Sequence, residues 1–496
     1  MHAPDPAATR RSPFVPLTAR PGPRETLALG VVLALLACLP FLFANHPQMA
    51  DYPSHLARYF VMLDGGHDPW LARYYDFEWR WTGNLGVDLL IGPLSALIGL
   101  EPAAKLIAVV IPPLTGLAMI CVEWTLRRRV GVGLMLALIT VWSPSLVMGM
   151  LNFSLAYALA LFAFAGWVRL SGWRGRAPLF VVIAPLVWLC HIAGWGVLGV
   201  LVFGYEFARQ RSWRAALACW PLIFPIIPAL FEKSVSGTLA YGQNVWLFKK
   251  AIWRTGLRDQ VYLLDFYSVV LLALCILLAA VVRKVDWRLG IAALLLALLS
   301  LLVPRHLGGG DYSDYRLIAI ALGIGALAIR WEAPRIVLWL APAIYLARLA
   351  ATTLAWQAQS AELDIVLKAL DYLPRGARVA SAVVEDRALW NTAANVHVGS
   401  YATLYRSALV NSHFAEPGVH MLHLREGGRE FKDPSQRILY LPGFPIDLAH
   451  FAPAEQADYL WFVGGHPPTA LPAGMTVLYR SPGSFLARLA KGPPAR

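Results

Sequence analysis

Asp51, Tyr52, Pro53, Ser54 and His55 stand just past the first long apolar run, Leu27 to Ala44. A carboxylate and an imidazole four residues apart could serve as a general base and its helper. Ionisable groups at a membrane boundary are costly and are more often functional than decorative. Pro53 biases Tyr52 to extended backbone, which would let Asp51 and His55 face one cavity. The competing role for Asp51 is to cap a helix starting near Ser54. A second group comprises Arg305, His306, Asp311, Asp314 and Arg316 around Gly308, Gly309 and Gly310. Arginine at headgroup level binds phosphate in a two-pronged fashion, or simply snorkels to the interface. Asp311 and Asp314 could hold a divalent cation. A third group lies in the loop Glu232–Gln260, where Lys233, Lys249, Lys250, Arg254 and Arg258 interleave with Tyr241, Trp246, Phe248 and Trp253. It reads as an interfacial amphipathic helix or as a platform for an anionic lipid. His191 occupies the apex of a tight turn between two apolar runs, with Asn152 at a similar apex as a cap or turn residue.

The elements that must position these groups are apolar. Of the 496 residues 58% are hydrophobic and only 15% are charged, against roughly 25% charged in soluble domains. Apolar runs of spanning length recur, so the chain reads as an all-α polytopic membrane bundle. The net charge of +13 is explained by arginine in short loops that orient helices. No aromatic-plus-basic module of the RNA-binding kind is present, so nucleic acid is not expected as a partner. Cys38, Cys121, Cys190, Cys219 and Cys275 all lie in apolar segments without metal or redox spacing.

The charge pattern sets a register. Residues 1–26 form a basic cytoplasmic tail whose Thr9-Arg10-Arg11-Ser12 has only a weak twin-arginine look. Eleven spans follow: 27–44, 104–126, 131–150, 153–168, 178–190, 195–207, 217–231, 262–282, 289–303, 317–329 and 336–354. The segment Leu85–Leu100, with Asp88, Gly92 and Pro93, is read as a short interfacial helix. This makes 45–103 the first external loop, with seven acidic residues against three arginines. Trp70–Trp81 reads as an interfacial aromatic belt. Six consecutive inner segments are then basic.

The membrane domain covers 27–356. Residues 357–496 read as a small extracytoplasmic α/β domain, a lid or partner surface, with a helix over Ala361–Tyr372. Strands are expected at Arg378–Val384, Ile438–Leu441, Tyr459–Val463 and Thr476–Tyr479, and an amphipathic piece at Phe485–Leu489. No P-loop, dinucleotide fingerprint or nucleophile elbow is present.

An acidic residue opening the first external loop, an interfacial segment, paired short spans and an appended C-terminal domain together resemble the GT-C class of polytopic membrane glycosyltransferases. Many members carry two adjacent acids at this point. Here Tyr52 takes the second position, as in less-characterised bacterial branches. The resemblance implies inverting transfer of a sugar from a polyprenyl-phosphate-linked donor to a glycan, lipid or protein acceptor on the outer face of the bacterial inner membrane. It implies Asp51 as base with His55 beside it. Arg305, His306, Arg316, His191, Lys249 and Lys250 would serve the donor phosphate. No cofactor is required by this chemistry beyond a divalent cation at Asp311 and Asp314, if one binds. The other classes consistent with the pattern are a transporter or flippase of lipid-linked glycans and a non-catalytic envelope assembly protein.

Overall fold

The computed structural model describes residues 17–230, 239–307, 310–386, 388–392, 394–415, 419–432 and 438–490. The tail up to residue 16, Glu232, Lys233, Gly308 and Gly309 lie outside the described residues. Among the described residues six helices are long and apolar enough to cross a membrane: Pro23–Phe43, Leu100–Arg127, Leu151–Arg169, Ile192–Gln210, Tyr262–Val281 and Arg335–Tyr372. Shorter apolar helices cover Gly86–Ile98, Val132–Val147, Arg176–Cys190, Trp287–Leu302 and Arg316–Leu327. Leu100–Arg127 packs against Leu151–Arg169, which in turn carries Ile192–Gln210. Trp287–Leu302 bridges Ile192–Gln210 and Arg316–Leu327.

One expected span is not continuous. The stretch read as Leu217–Phe231 breaks into Ala215–Ala218, a 3-10 turn at Trp220–Ile223 and a short piece at Ile226–Leu230. Pro221, Pro225 and Pro228 each remove a backbone donor, and three such losses within about two turns disfavour a continuous helix. The stretch expected at 131–150 is likewise segmented, with Pro144 starting its last short helix. The Leu85–Leu100 segment is a helix, Gly86–Ile98, which carries Pro93 inside and buries Val87, Asp88 and Ile91.

Helix Ala343–Leu367 runs without a break through residue 357 into a 3-10 turn at Lys368–Tyr372. The helix expected at Ala361–Tyr372 is therefore its continuation. The described residues hold eight strands: β1 (Tyr75–Phe77), β2 (Arg378–Asp386), β3 (Leu409–Val410), β4 (Leu422–Leu424), β5 (Ile438–Tyr440), β6 (Tyr459–Val463), β7 (Thr476–Ser481) and β8 (Ser484–Arg488). The main sheet has the order β3-β2-β6-β8-β7, with β5 also pairing β2. β3, β5 and β6 run parallel to β2, while β8 is antiparallel to both β6 and β7. The amphipathic piece at Phe485–Leu489 is thus the inner strand β8, reached from β7 by a tight turn at Gly483 with φ +67°.

β1 lies in the segment 45–103 and pairs antiparallel with β4 of the C-terminal sheet region, Tyr75 opposite Leu424. The Tyr74 hydroxyl donates to the Gly376 carbonyl at 2.7 Å and the Tyr75 hydroxyl to the Ala408 carbonyl at 2.8 Å. Val61, Leu71, Tyr74 and Tyr75 share one core with Ala380, Leu460 and Phe485. Trp70, expected in a membrane belt, packs against that core instead, while Trp79 and Trp81 remain exposed. Elsewhere, buried Arg348 pairs with Asp265 at 2.6 Å, and the Trp390 indole donates to Asp265 at 2.7 Å. The C-terminal sheet region is therefore fastened to the helical bundle at several places.

Candidate active site

Asp51 precedes helix Tyr52–Asp64 but does not cap it through its side chain. The backbone is held from outside. Asp51 N–H donates to Met148 carbonyl at 2.9 Å, and Ala50 N–H to Val147 carbonyl at 3.3 Å. Gly149 sits at φ +92°, and a Cβ there would lie 3.1 Å from Asp51 Cβ and 3.2 Å from the Tyr52 nitrogen. The segmented Val132–Val147 element thus presents a side-chain-free turn on which Asp51 rests, leaving its carboxylate free of the capping role.

Arg316 opens helix Arg316–Leu327, and the Asp51 carboxylate is close enough to act electrostatically on its guanidinium. Arg316 Nη1 lies 3.1 Å from His191 Nε2, and Nη2 donates to the Asp311 carbonyl at 3.0 Å. Its guanidinium also lies over the Phe153 ring, 5.5 Å from the centroid. His191 is fixed by the segment 45–103: Ile192 N–H donates to Gly83 carbonyl at 2.7 Å and Leu85 N–H to Leu189 carbonyl at 2.8 Å. His191 Nδ1 accepts from Ala193 N–H at 3.0 Å, and burial, reinforced by Arg316, pushes the imidazole pKa well down. A neutral ring with Nδ1 as acceptor carries its proton on Nε2. Arg316 Nη1, 3.1 Å from that nitrogen, can also only donate, so the two N–H groups lie side by side.

A cavity of about 20 Å³ lies beneath Arg316, lined by Thr115, Thr140, Ser154 and Tyr157 among others. That is room for about one water molecule, not for a sugar.

His55 is one turn into its helix. Burial pushes its imidazole down to about 3, and its ring lies 5.8 Å from that of Phe414. Below it, Arg58 pairs with Asp88 at 2.5 Å. Asn152 accepts from Val87 N–H at 2.6 Å and donates to Asp88 at 3.2 Å. Asn152 therefore caps helix Gly86–Ile98 rather than its own.

The remaining predicted residues fall in other places. Arg305 pairs with Asp311 at 3.1 Å, His306 approaches the same carboxylate at 3.2 Å, and Arg305 lies over Phe248 and Tyr312. This cluster neighbours Arg316 through Asp311. Lys249 is buried against Asp314 at 2.5 Å and also donates to the Ser300 and Val303 carbonyls. Its ammonium is consumed inside the protein, whereas Lys250 is exposed. Asp311 and Asp314 face different cations, and among the described residues no three His, Cys, Asp or Glu gather as a metal site.

Sequence reasoning missed what the C-terminal domain contributes. His397 Nε2 lies 3.8 Å from Asp51 Oδ1, and the Phe414 N–H donates to the Ser54 hydroxyl at 3.4 Å. The available signal was compositional: His397, His413, His420 and His423 bring four of the twelve histidines into one short stretch of a domain read as a lid.

No protein-family model and no curated protein matches the chain. Among solved structures, the chain is similar to the single-particle cryo-EM structure of arabinofuranosyltransferase AftD from Mycobacteria, at 14% identity and a TM-score of 0.41. That alignment covers 96% of this chain and 40% of the other, so the chain spans well under half the length of that neighbour.

Proposed function

We propose that this protein is an inverting membrane glycosyltransferase of the GT-C kind. It moves a sugar from a polyprenyl-phosphate-linked donor to a cell-envelope acceptor on the outer face of the bacterial inner membrane. The observation that carries the reading is that Asp51 acts electrostatically on Arg316, which lies 3.1 Å from His191, so that groups from three separate segments are neighbours. A glycosyl transfer of this type needs a base for the acceptor hydroxyl and cations or donors for the phosphate that departs. Asp51 supplies the carboxylate. Arg316 and His191 supply neighbouring N–H groups, with Arg305 and His306 close by through Asp311. The cavity that Arg316 helps to line holds about one water molecule, so the sugar ring binds outside it. Attack from the face opposite the phosphate inverts the anomeric carbon.

Asp51→Asn keeps the shape and removes the base. Transfer from polyprenyl-phosphate sugars to envelope acceptors is expected to fall by about 10²–10⁴-fold, with unchanged membrane insertion and thermal stability. The assay is mass spectrometry of envelope glycans and lipids in cells carrying each variant. Wild-type glycan levels in the Asp51→Asn strain would remove Asp51 from the chemistry.

A further inference from the structure

We infer that His397, carried by the C-terminal domain, is the proton-accepting partner of Asp51, so that the site is complete only with that domain seated on the membrane helices. The chemistry rests on the transferase reading above; the geometry does not. His397 is 4% exposed, and its Nδ1 stands 2.6 Å from the Ser412 carbonyl oxygen. A carbonyl can only accept, so Nδ1 carries the proton. In the neutral ring Nε2 is then a lone pair, and it faces Asp51 Oδ1 at 3.8 Å. The imidazolium, by contrast, has an acceptor on each side: the Ser412 carbonyl and the Asp51 carboxylate. The ring is kept in place by Phe414, with centroids 4.6 Å apart, and Phe414 is tied to Ser54 in the helix that follows Asp51.

The charged and titratable groups around His397 single out Asp51 as its partner. His55 and His413 both feel His397, and burial pushes each of them down to about 3. His413 is also held by the Thr403 hydroxyl at 2.8 Å. Arg58 and Asp88 lie beyond His55 and pair with each other. Arg316 acts on the other side of Asp51. Among the described residues Asp51 is a carboxylate 3.8 Å from His397, and burial keeps the neighbouring His55 and His413 imidazoles neutral near pH 7.

In the transfer, the acceptor oxygen bonds to the anomeric carbon as the bond from that carbon to the phosphate oxygen breaks. The electron pair leaves on the phosphate, towards Arg316 and His191. The hydroxyl proton passes to the Asp51 carboxylate and on to His397 Nε2. The products are an Asp51 carboxylate, an imidazolium and a lipid phosphate with one more negative charge. His397 acts through Asp51 and is a positioning residue in this sense.

The test uses the full-length protein in lipid nanodiscs. Nitrogen-15 NMR of the histidines is expected to show His397 protonated on Nδ1, with a titration midpoint that drops by about one unit or more in Asp51→Asn, because the stabilising charge is gone. An unmoved midpoint would overturn the coupling, and this arm needs neither a substrate nor a His397 variant. In the transfer assay, His397→Gln is expected to lose about 10²-fold in kcat with KM little changed. It should also lose the acidic limb of the pH profile and recover with added imidazole. A wild-type rate and pH profile in His397→Gln would likewise overturn the inference. Absence of transfer in the wild type would sink the transferase reading alone, and the NMR shift would still decide the pairing.

Discussion

At the scale of single residues, the position of Asp51 depends on a residue with no side chain. Gly149 holds φ +92°, and a methyl group on its α-carbon would press on Asp51 Cβ and backbone nitrogen at 3.1–3.2 Å, so that Asp51 would have to give way. Gly172 holds a similar φ of +89° with nothing within 4 Å, which makes it an internal control. A left-handed backbone costs an L-residue roughly 1–2 kcal/mol, so Gly149→Ala and Gly172→Ala should both lower thermal stability by about that amount. Only Gly149→Ala should also lower transfer, because only there must Asp51 shift. Thermal unfolding in detergent and the glycan assay, run on both variants, separate the two effects. Equal transfer by the two would show that Asp51 does not rely on this turn.

At the scale of elements, the site is framed by a buried polar node. Arg58 from helix Tyr52–Asp64, Asp88 from Gly86–Ile98 and Asn152 from Leu151–Arg169 meet away from water. Removing one partner of a buried pair leaves an uncompensated charge, at a cost of roughly 3–5 kcal/mol. Asp88→Ala should therefore destabilise the protein by about that much, and Arg58→Met added to it should recover most of the loss. Thermal unfolding of the single and double variants measures this, and an additive double variant would argue against a coupled pair. The helices themselves were legible because apolar runs and basic loops are local signals. The main strands were legible from alternation and bracketing Gly and Pro. The span at 217–231 misled because hydropathy does not register Pro221, Pro225 and Pro228 as breaks. The β1–β4 pairing and the approach of His397 to Asp51 were illegible for a different reason. Both join segments more than 300 residues apart, Tyr75 to Leu424 and Asp51 to His397. No periodicity within either segment specifies its partner. Lys249 shows the converse: its type and loop suggested phosphate, but burial against Asp314 decides what its charge meets.

At the scale of the whole molecule, the contact between the C-terminal domain and the membrane helices is built around neutral imidazoles. His55 comes from the helical side, and His413 and His420 from the other, with Phe414 between: its ring centroid lies 5.8 Å from His55 and 5.6 Å from His420. Burial pushes His55 and His413 down to about 3 and His420 to about 4. An unfolded or undocked histidine takes up its proton near 6.5. The docked state therefore binds fewer protons than the undocked state between these values. Its stability is full above about 6.5 and is lost as pH falls towards 4 and then 3. Each such histidine contributes a slope of ~1.4 kcal/mol per pH unit inside its window, and three acting together make the interface the steep part of the acid response. Acidification from pH 7 to pH 4.5 should consequently expose the segments around His55, Ser412–Ala415 and His420 to hydrogen exchange before the buried Leu100–Arg127 helix exchanges. His413→Asn, which cannot take up a proton, should flatten the response. Simultaneous loss of protection across the interface and the helical core, with the same pH midpoint in His413→Asn, would show that acid acts on the bundle as a whole and that these imidazoles do not set its limit.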